Sequence, residues 1–213
     1  MTEVEKLKNV YKLEEHVEGG FFSEVYSAPF EKDGRALAGS IYFLLDKNEI
    51  SHFHEIDCDE IWYFHEGCGL KITVLNDEGM QQYFLGCNTD KGERAMVLIP
   101  RNSVFAAENL SNDGFTFVSC VTTPRFEYSG FRMIGKEEMR NRFPEFAEDI
   151  MYLVDSKKAM KKESNSKKEK ISPDALEMIS GGTGQGFGQI TDIGLPSIWE
   201  DPHSKKEKGR LTG

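Results

Sequence analysis

Nowhere in the 213 residues is there an apolar run long enough to span a bilayer. The first sixteen residues, MTEVEKLKNVYKLEEH, are amphipathic and charged where a secretion signal carries a continuous apolar stretch. The chain is therefore expected in the cytoplasm, with no membrane insertion. Cysteine is scarce as well. Cys58, Cys68, Cys87 and Cys120 stand far apart with no CxxC pair, which points to reduced, partly buried thiols rather than a disulfide framework. Positive charge is short at the front of the chain. Residues 1 to 154 hold 15 Lys and Arg against 27 Asp and Glu, a balance of −12, whereas residues 155 to 213 hold 11 against 9, or +2. A front part this acidic repels phosphate backbones, so no nucleic-acid partner is expected.

The length suits one large domain, or a medium one with an appendage. Val4, Leu7, Val10 and Tyr11 recur at helical spacing and predict a short opening helix. From Phe21 to Thr122 the pattern changes to short runs rich in β-branched and aromatic residues, among them FFSEVYSA, SIYFLL, EIWYFH, LKITVL and FTFVSCV, separated by Gly, Asn and Asp. So many closely spaced strands predict an all-β sandwich or barrel. NDEG at 76 to 79 and SNDG at 111 to 114 read as tight hairpin turns, and short helices are expected at Lys136 to Phe143 and after Pro144. Residues 155 to 170, DSKKAMKKESNSKKEK, with seven Lys and little apolar content, read as a solvated linker, and the Gly-rich stretch after residue 180 as a flexible tail.

Chemistry concentrates in SHFHEIDCDEIWYFHEG. His52 and His54, two apart on a predicted strand, turn their imidazoles to one face, and parity on the next run places Glu60 with Trp62 and Phe64, leaving Ile61, Tyr63 and His65 opposite. Two imidazoles and a carboxylate suit Fe(II), Mn(II), Ni(II) or Zn(II), with His52, His54 and Glu60 as ligands. A metal-free alternative takes His54 as general base, Glu60 as its orienter, and Tyr42, Tyr63 or Tyr128 as acid. Phe43, Trp62, Phe64 and Phe105, with Tyr42, supply aromatic walls for a substrate cavity, and His16 in HVEGG is placed at its rim.

The spacing HxH, five residues, Glu60, six residues, Gly67 resembles the first motif of the cupin superfamily. Over residues 13 to 144 the run EGGFFSEVYSA, SIYFLL, SHFHEIDCDEIWYF, VLIPRNSVFAA, VSCVTTPRFEYSGF and RFP resembles the fifth cupin family, compact barrels akin to dTDP-sugar epimerases. The resemblance implies a double-stranded β-helix, or jelly-roll, barrel with short flanking helices over residues 1 to 154. It also implies pairing into a homodimer and a small-molecule ligand, with sugar-nucleotide isomerase or noncatalytic binding among the activities. Phe105 stands where the second cupin motif usually supplies a His. Val17, Ser23 and Arg125 stand where the family usually has Pro, Arg and Gly.

ISPDALEMISGG, residues 171 to 182, resembles the double-glycine leader ending of exported bacterial peptides. Ile171, Ser172, Leu176 and Ile179 occupy its characteristic places before Gly181 and Gly182. Ser172 suits a helix N-cap and Pro173 the first helical position, while Leu176 and Ile179 share one face. The resemblance implies a double-glycine peptidase of an ABC transporter as partner. Cleavage after Gly182 would release residues 183 to 213 for export, making the chain a cupin domain fused to a precursor peptide that the cupin binds or modifies.

Overall fold

The computed structural model describes residues 1–154. The expected linker, leader-like segment and tail peptide, with Ile171 through Gly182, lie outside the described residues. Helix α1, Glu3–Tyr11, opens the chain. Thr2 caps it in a reciprocal box, its hydroxyl accepting from the Glu5 N–H while the Glu5 carboxylate accepts from the Thr2 N–H. Lys12, in the left-handed conformation, ends it.

Thirteen strands follow: β1 Glu14–Glu15, β2 Phe21–Ser27, β3 Glu31–Lys32, β4 Arg35–Ala36, β5 Gly39–Leu45, β6 Ile50–Ile56 and β7 Asp59–Gly67, then β8 Leu70–Asn76, β9 Gly79–Leu85, β10 Met96–Ile99, β11 Val104–Asn109, β12 Thr116–Thr123 and β13 Phe131–Met133. Two short helices, α2 Lys136–Arg142 and α3 Ala147–Ile150, close the described part. The strands form one sheet in the order β1-β2-β5-β12-β7-β10 and a second in the order β13-β6-β11-β8-β9, with β3 and β4 as a separate hairpin.

The faces the two sheets turn toward each other enclose the main apolar core, which includes Phe43, Trp62, Ile72, Val97, Phe105 and Val118. The outer face of the second sheet is covered by the closing helices, where Phe53, Leu75 and Val104 pack against Met139, Phe143, Ile150 and Leu153. Helix α1 lays Leu7 over Leu44 and Phe117 on the outer face of the first sheet. These layers give the all-β barrel with short helices that the strand pattern predicts.

One expected hairpin differs. NDEG does join paired strands, with Asn76 opposite Gly79, but SNDG links β11 of the second sheet to β12 of the first, which do not pair. Turn chemistry sets the local bend and leaves the partner strand unspecified; here the chain crosses between sheets. No described helix is long and apolar enough to cross a membrane.

The segment His16–Gly20 is folded tightly against the start of β6. Gly19 N–H donates to the His16 carbonyl, His16 N–H to the Gly20 carbonyl, and His52 N–H to the Glu18 carbonyl. Gly19, at φ 109°, lies in a region open to glycine, and a Cβ there would collide with the Ile50 carbonyl oxygen. Gly19→Ala is expected to destabilise the domain by roughly 1–3 kcal/mol. A thermal melt with an unchanged midpoint would refute the need for glycine there.

Candidate active site in the barrel

The segment that Gly19 bends delivers Glu18 into the barrel. Its carboxyl is buried, 6% exposed as a residue, beside His54 at 2% and Ser51 at 0%. Glu18 Oε2 lies 3.3 Å from His54 Nε2 and 3.3 Å from His16 Nδ1, and the Ser51 hydroxyl donates to Oε1 at 2.8 Å. Burial pushes this carboxyl up, but the His54 and His16 imidazoles and the Ser51 hydroxyl together pull it further down, to about 2. Glu18 is therefore the anion of the site.

His54 has no free nitrogen. Its Nδ1 is 2.7 Å from the His52 carbonyl, which can only accept, so Nδ1 carries a proton. Nε2 then faces a carboxylate that also accepts when ionised, and one proton must lie between them. Burial lowers His54 from the ordinary imidazole range while Glu18 pulls it back, so the two titrate as a unit. His16 differs. Its Nδ1 is turned to Glu18, whose main-chain N–H lies at 3.5 Å from the same nitrogen, at the limit of a hydrogen bond. Nδ1 accepts from that N–H when it carries no proton; with a proton on Nδ1 directed at the charged oxygen, 3.3 Å away, Nε2 carries the lone pair. The ring stands edge-on to Phe22 at 4.7 Å and is stacked near Tyr128, with Phe126 and Phe131 completing an aromatic rim.

Glu60 opens another part of the interior. It is 7% exposed on β7, and Trp62, two residues on, shares its face. Burial and the Glu18 charge push its carboxyl up to about 8, against the pull of the nearby Trp62 indole and Cys120 thiol. Burial also raises Cys120 well above a normal thiol and Cys58 to about 12, so neither is a thiolate nucleophile.

The residues expected from sequence are thus divided. His54, Glu60, Phe43, Trp62, Phe64 and Phe105 belong to the interior, with Phe105 against the His54 ring at 4.1 Å between centroids. His52 does not join His54. Strand β13 pairs only with the His54–Ile56 end of β6, so His52 sits at an open edge, where its Nδ1 meets the Leu153 carbonyl at 3.1 Å.

Among the described residues no three His, Cys, Asp or Glu side chains converge as a metal ion requires. His16 and His54 both point at one carboxylate oxygen rather than at a common centre, so the donor set does not fit the expected metal with His52, His54 and Glu60. Glu18, not Glu60, is the carboxylate on His54. Tyr42 faces outward and packs on Tyr11 and Phe117 beneath α1. Tyr63 also faces outward, opposite the exposed Met96 on β10. Both point away from the barrel interior because alternation puts them on the face opposite Phe43 and Trp62. Tyr128 is at the rim, more than half exposed. Sequence reasoning missed Glu18 and Ser51; the signal for Glu18 was its place directly before two glycines in HVEGG, beside the rim histidine.

The chain is similar to the uncharacterised protein YML079W of Saccharomyces cerevisiae, 25% identical over 174 residues that cover 72% of this chain and 87% of that one. Among solved structures it is similar to protein SO0799 of Shewanella oneidensis, at 34% identity and a TM-score of 0.69 over 73% of this chain and 99% of that one. A hypothetical protein of Leishmania major shares the fold at 24% identity and a TM-score of 0.65, over 70% of this chain and 97% of that one. Residues 5–134 match the family described as Cupin superfamily (DUF985), and over that span, more than half its length, the chain belongs to that cupin family.

Proposed function

We propose that the barrel is an acid–base site that moves a proton on a small polar carbonyl compound, an activity of the isomerase or epimerase type. The observation that carries it is a buried anionic carboxylate, Glu18, that orients His16, in the same interior as a second carboxylate, Glu60, pushed up to about 8. Carboxyls driven apart in this way mark acid and base roles.

His16 Nε2 takes a proton from the carbon beside the carbonyl, and Glu18 stabilises the imidazolium that forms. Glu60 donates its carboxyl proton to the carbonyl oxygen, giving an enol and a Glu60 carboxylate. For epimerisation the oxygen proton returns to Glu60 and a proton returns to the same carbon from its other face; for isomerisation the former carbonyl carbon takes the proton while the hydroxyl on the neighbouring carbon gives its proton to Glu60 and becomes the new carbonyl. His54 and Ser51 are positioning residues that hold Glu18.

A second reading rests on sequence: the spacing of Ile171, Ser172, Leu176 and Ile179 before Gly181 and Gly182 supports release of the 31-residue segment 183 to 213 by a double-glycine peptidase of an ABC transporter. In that reading the segment is itself a client of the barrel. Co-expression with such a peptidase should yield a chain ending at Gly182 by intact mass. An unbroken Gly182–Thr183 bond would sink it.

Incubation in D2O with cyclic hydroxyketones and keto-sugars tests the first reading. Deuterium should enter the carbon beside the carbonyl, and His16→Ala should slow uptake by about 10²–10⁴-fold, with partial rescue by added imidazole. Uptake at the wild-type rate in His16→Ala would remove His16 from the mechanism.

The Glu60 carboxyl supplies a separate check. Because its folded value lies above the ordinary 4.5, the folded state binds the extra proton between about 4.5 and about 8. Glu60 therefore contributes stability that is present below that range and is lost as pH rises through about 8. The melting temperature should fall with pH across this window, and the fall should flatten in Glu60→Gln. An identical slope in both proteins would show that Glu60 is not the group responsible.

A further inference from the structure

The outer face of the first sheet holds a cleft that the barrel chemistry does not use. Helix α1 covers part of that face through Leu7, its one buried residue, which rests on Leu44 and Phe117. Beside this contact a cleft of about 250 Å³ opens between helix and sheet, lined by Leu7, Tyr11, Tyr42, His65, Glu66 and Phe117. That volume is at the small end of ligand sites and holds a single ring with a short arm.

A break in strand alternation builds the polar edge of the cleft. Strand β7 pairs Phe64 with Val118 and Glu66 with Phe117, so His65 is an extra residue in the ladder. Regular alternation would send His65 and Glu66 to opposite faces. The bulge turns both outward. Glu66 lies opposite Phe117, which belongs to the outer layer, and His65 Nε2 meets the Ser119 hydroxyl at 2.9 Å. Bulges re-aim side chains in this way and recur next to functional sites.

Three rings form the wall. Between centroids Tyr11 is 4.6 Å from Tyr42 and 5.0 Å from Phe117, and both tyrosines are half-buried, with ring surface left open. The charge at the edge is negative. Glu66 is exposed, and no ion pair to a described residue neutralises it; the Lys6 ammonium, which feels its charge, is bonded to Glu3 at 3.1 Å. Partial burial pushes the His65 imidazole below its ordinary range, so at neutral pH it is uncharged and adds no competing cation. Aromatic faces beside an unpaired carboxylate attract an organic cation, whereas an anion is repelled by Glu66 and a neutral ring gains the apolar contact alone.

We propose that this cleft binds a small organic ammonium ion bearing an apolar group, with the ammonium between Glu66 and the tyrosine rings and the apolar group on Leu7 and Phe117. The bound molecule touches α1 and β7 together and so fastens the helix to the sheet.

Phenethylamine, 2-phenylethanol and phenylacetate test this, because they share a ring and differ in charge. By calorimetry on the full chain at neutral pH, phenethylamine should bind at least about tenfold more tightly than either of the others. Glu66→Gln should weaken phenethylamine about threefold, the effect of one exposed ion pair. Tyr11→Leu keeps an apolar contact and removes the aromatic face; it should weaken phenethylamine about threefold and leave 2-phenylethanol within about twofold. In a ¹⁵N-labelled sample the amide signals of Tyr11, His65 and Glu66 should move saturably with phenethylamine.

No saturable binding of phenethylamine, equal or tighter binding of phenylacetate, undiminished affinity in Glu66→Gln, or signal changes at His16 and His54 in place of the cleft would overturn the proposal. The exposed Glu66 position tolerates Gln, which a thermal melt checks, so that variant decides even where Tyr11→Leu loosens α1.

Discussion

One contact governs the interior of this barrel: the Glu18 carboxylate held between His16 and His54, with the Ser51 hydroxyl on its other oxygen. An ionised carboxylate away from water costs several kcal/mol unless its lone pairs are met, and removing one partner of such a buried pair costs about 3–5 kcal/mol. The fold meets the demand with three donors from two segments. Ser51 and His54 come from β6, and His16 from the loop that carries Glu18 itself. The loop can reach because Gly19 and Gly20 take positive φ, and it is pinned because His52 N–H donates to the Glu18 carbonyl. The backbone that supplies the anion and the strand that neutralises it are thus one hydrogen-bonded unit.

That unit is rigid because β6 is fixed on both faces. Phe53, between His52 and His54, turns to the opposite side and is fully buried against the closing helices, in the layer containing Met139, Phe143 and Ile150. Displacing β6 would expose that layer, at roughly 25 cal/mol for each Å² of apolar surface. Packing outside the barrel therefore holds the imidazole inside it, and the α2–α3 segment acts on the site without touching it.

Most of the architecture was legible in the sequence because period-two alternation is a local signal. It placed Trp62, Phe64 and Glu60 on one face of β7 and His65 on the other, where the structure has His65 bonded to Ser119. The same rule put His52 and His54 on one face of β6 and stopped short of the site. Alternation fixes a direction but not what occupies the space ahead, and at His52 that space belongs to the Leu153 carbonyl, about a hundred residues away in sequence. Glu18 was hidden for the converse reason. It lies outside any strand, so no periodicity marks it, and its partners become neighbours only through the close fit of the His16–Gly20 turn on β6. The exchange of Glu60 for Glu18 as the His54 partner is a long-range fact that spacing does not encode.

Phe105 connects these observations. It sits opposite His54 in the β11–β6 ladder and places a fully buried ring 4.1 Å from the imidazole, at the position where the cupin pattern usually has a fourth polar side chain. A ring there adds no donor and removes water. Dehydration is the largest influence on Glu18, His54 and Glu60 alike, and its outcome differs only because their neighbours differ. Glu18 has two imidazoles and stays ionised; Glu60 has an indole, a thiol and the repulsion of Glu18, and holds its proton. The Phe105 ring offers nothing to a cation and keeps the interior dry, and within that dry interior the imidazoles on Glu18 and the Glu18 charge on Glu60 separate the two carboxyls in acidity.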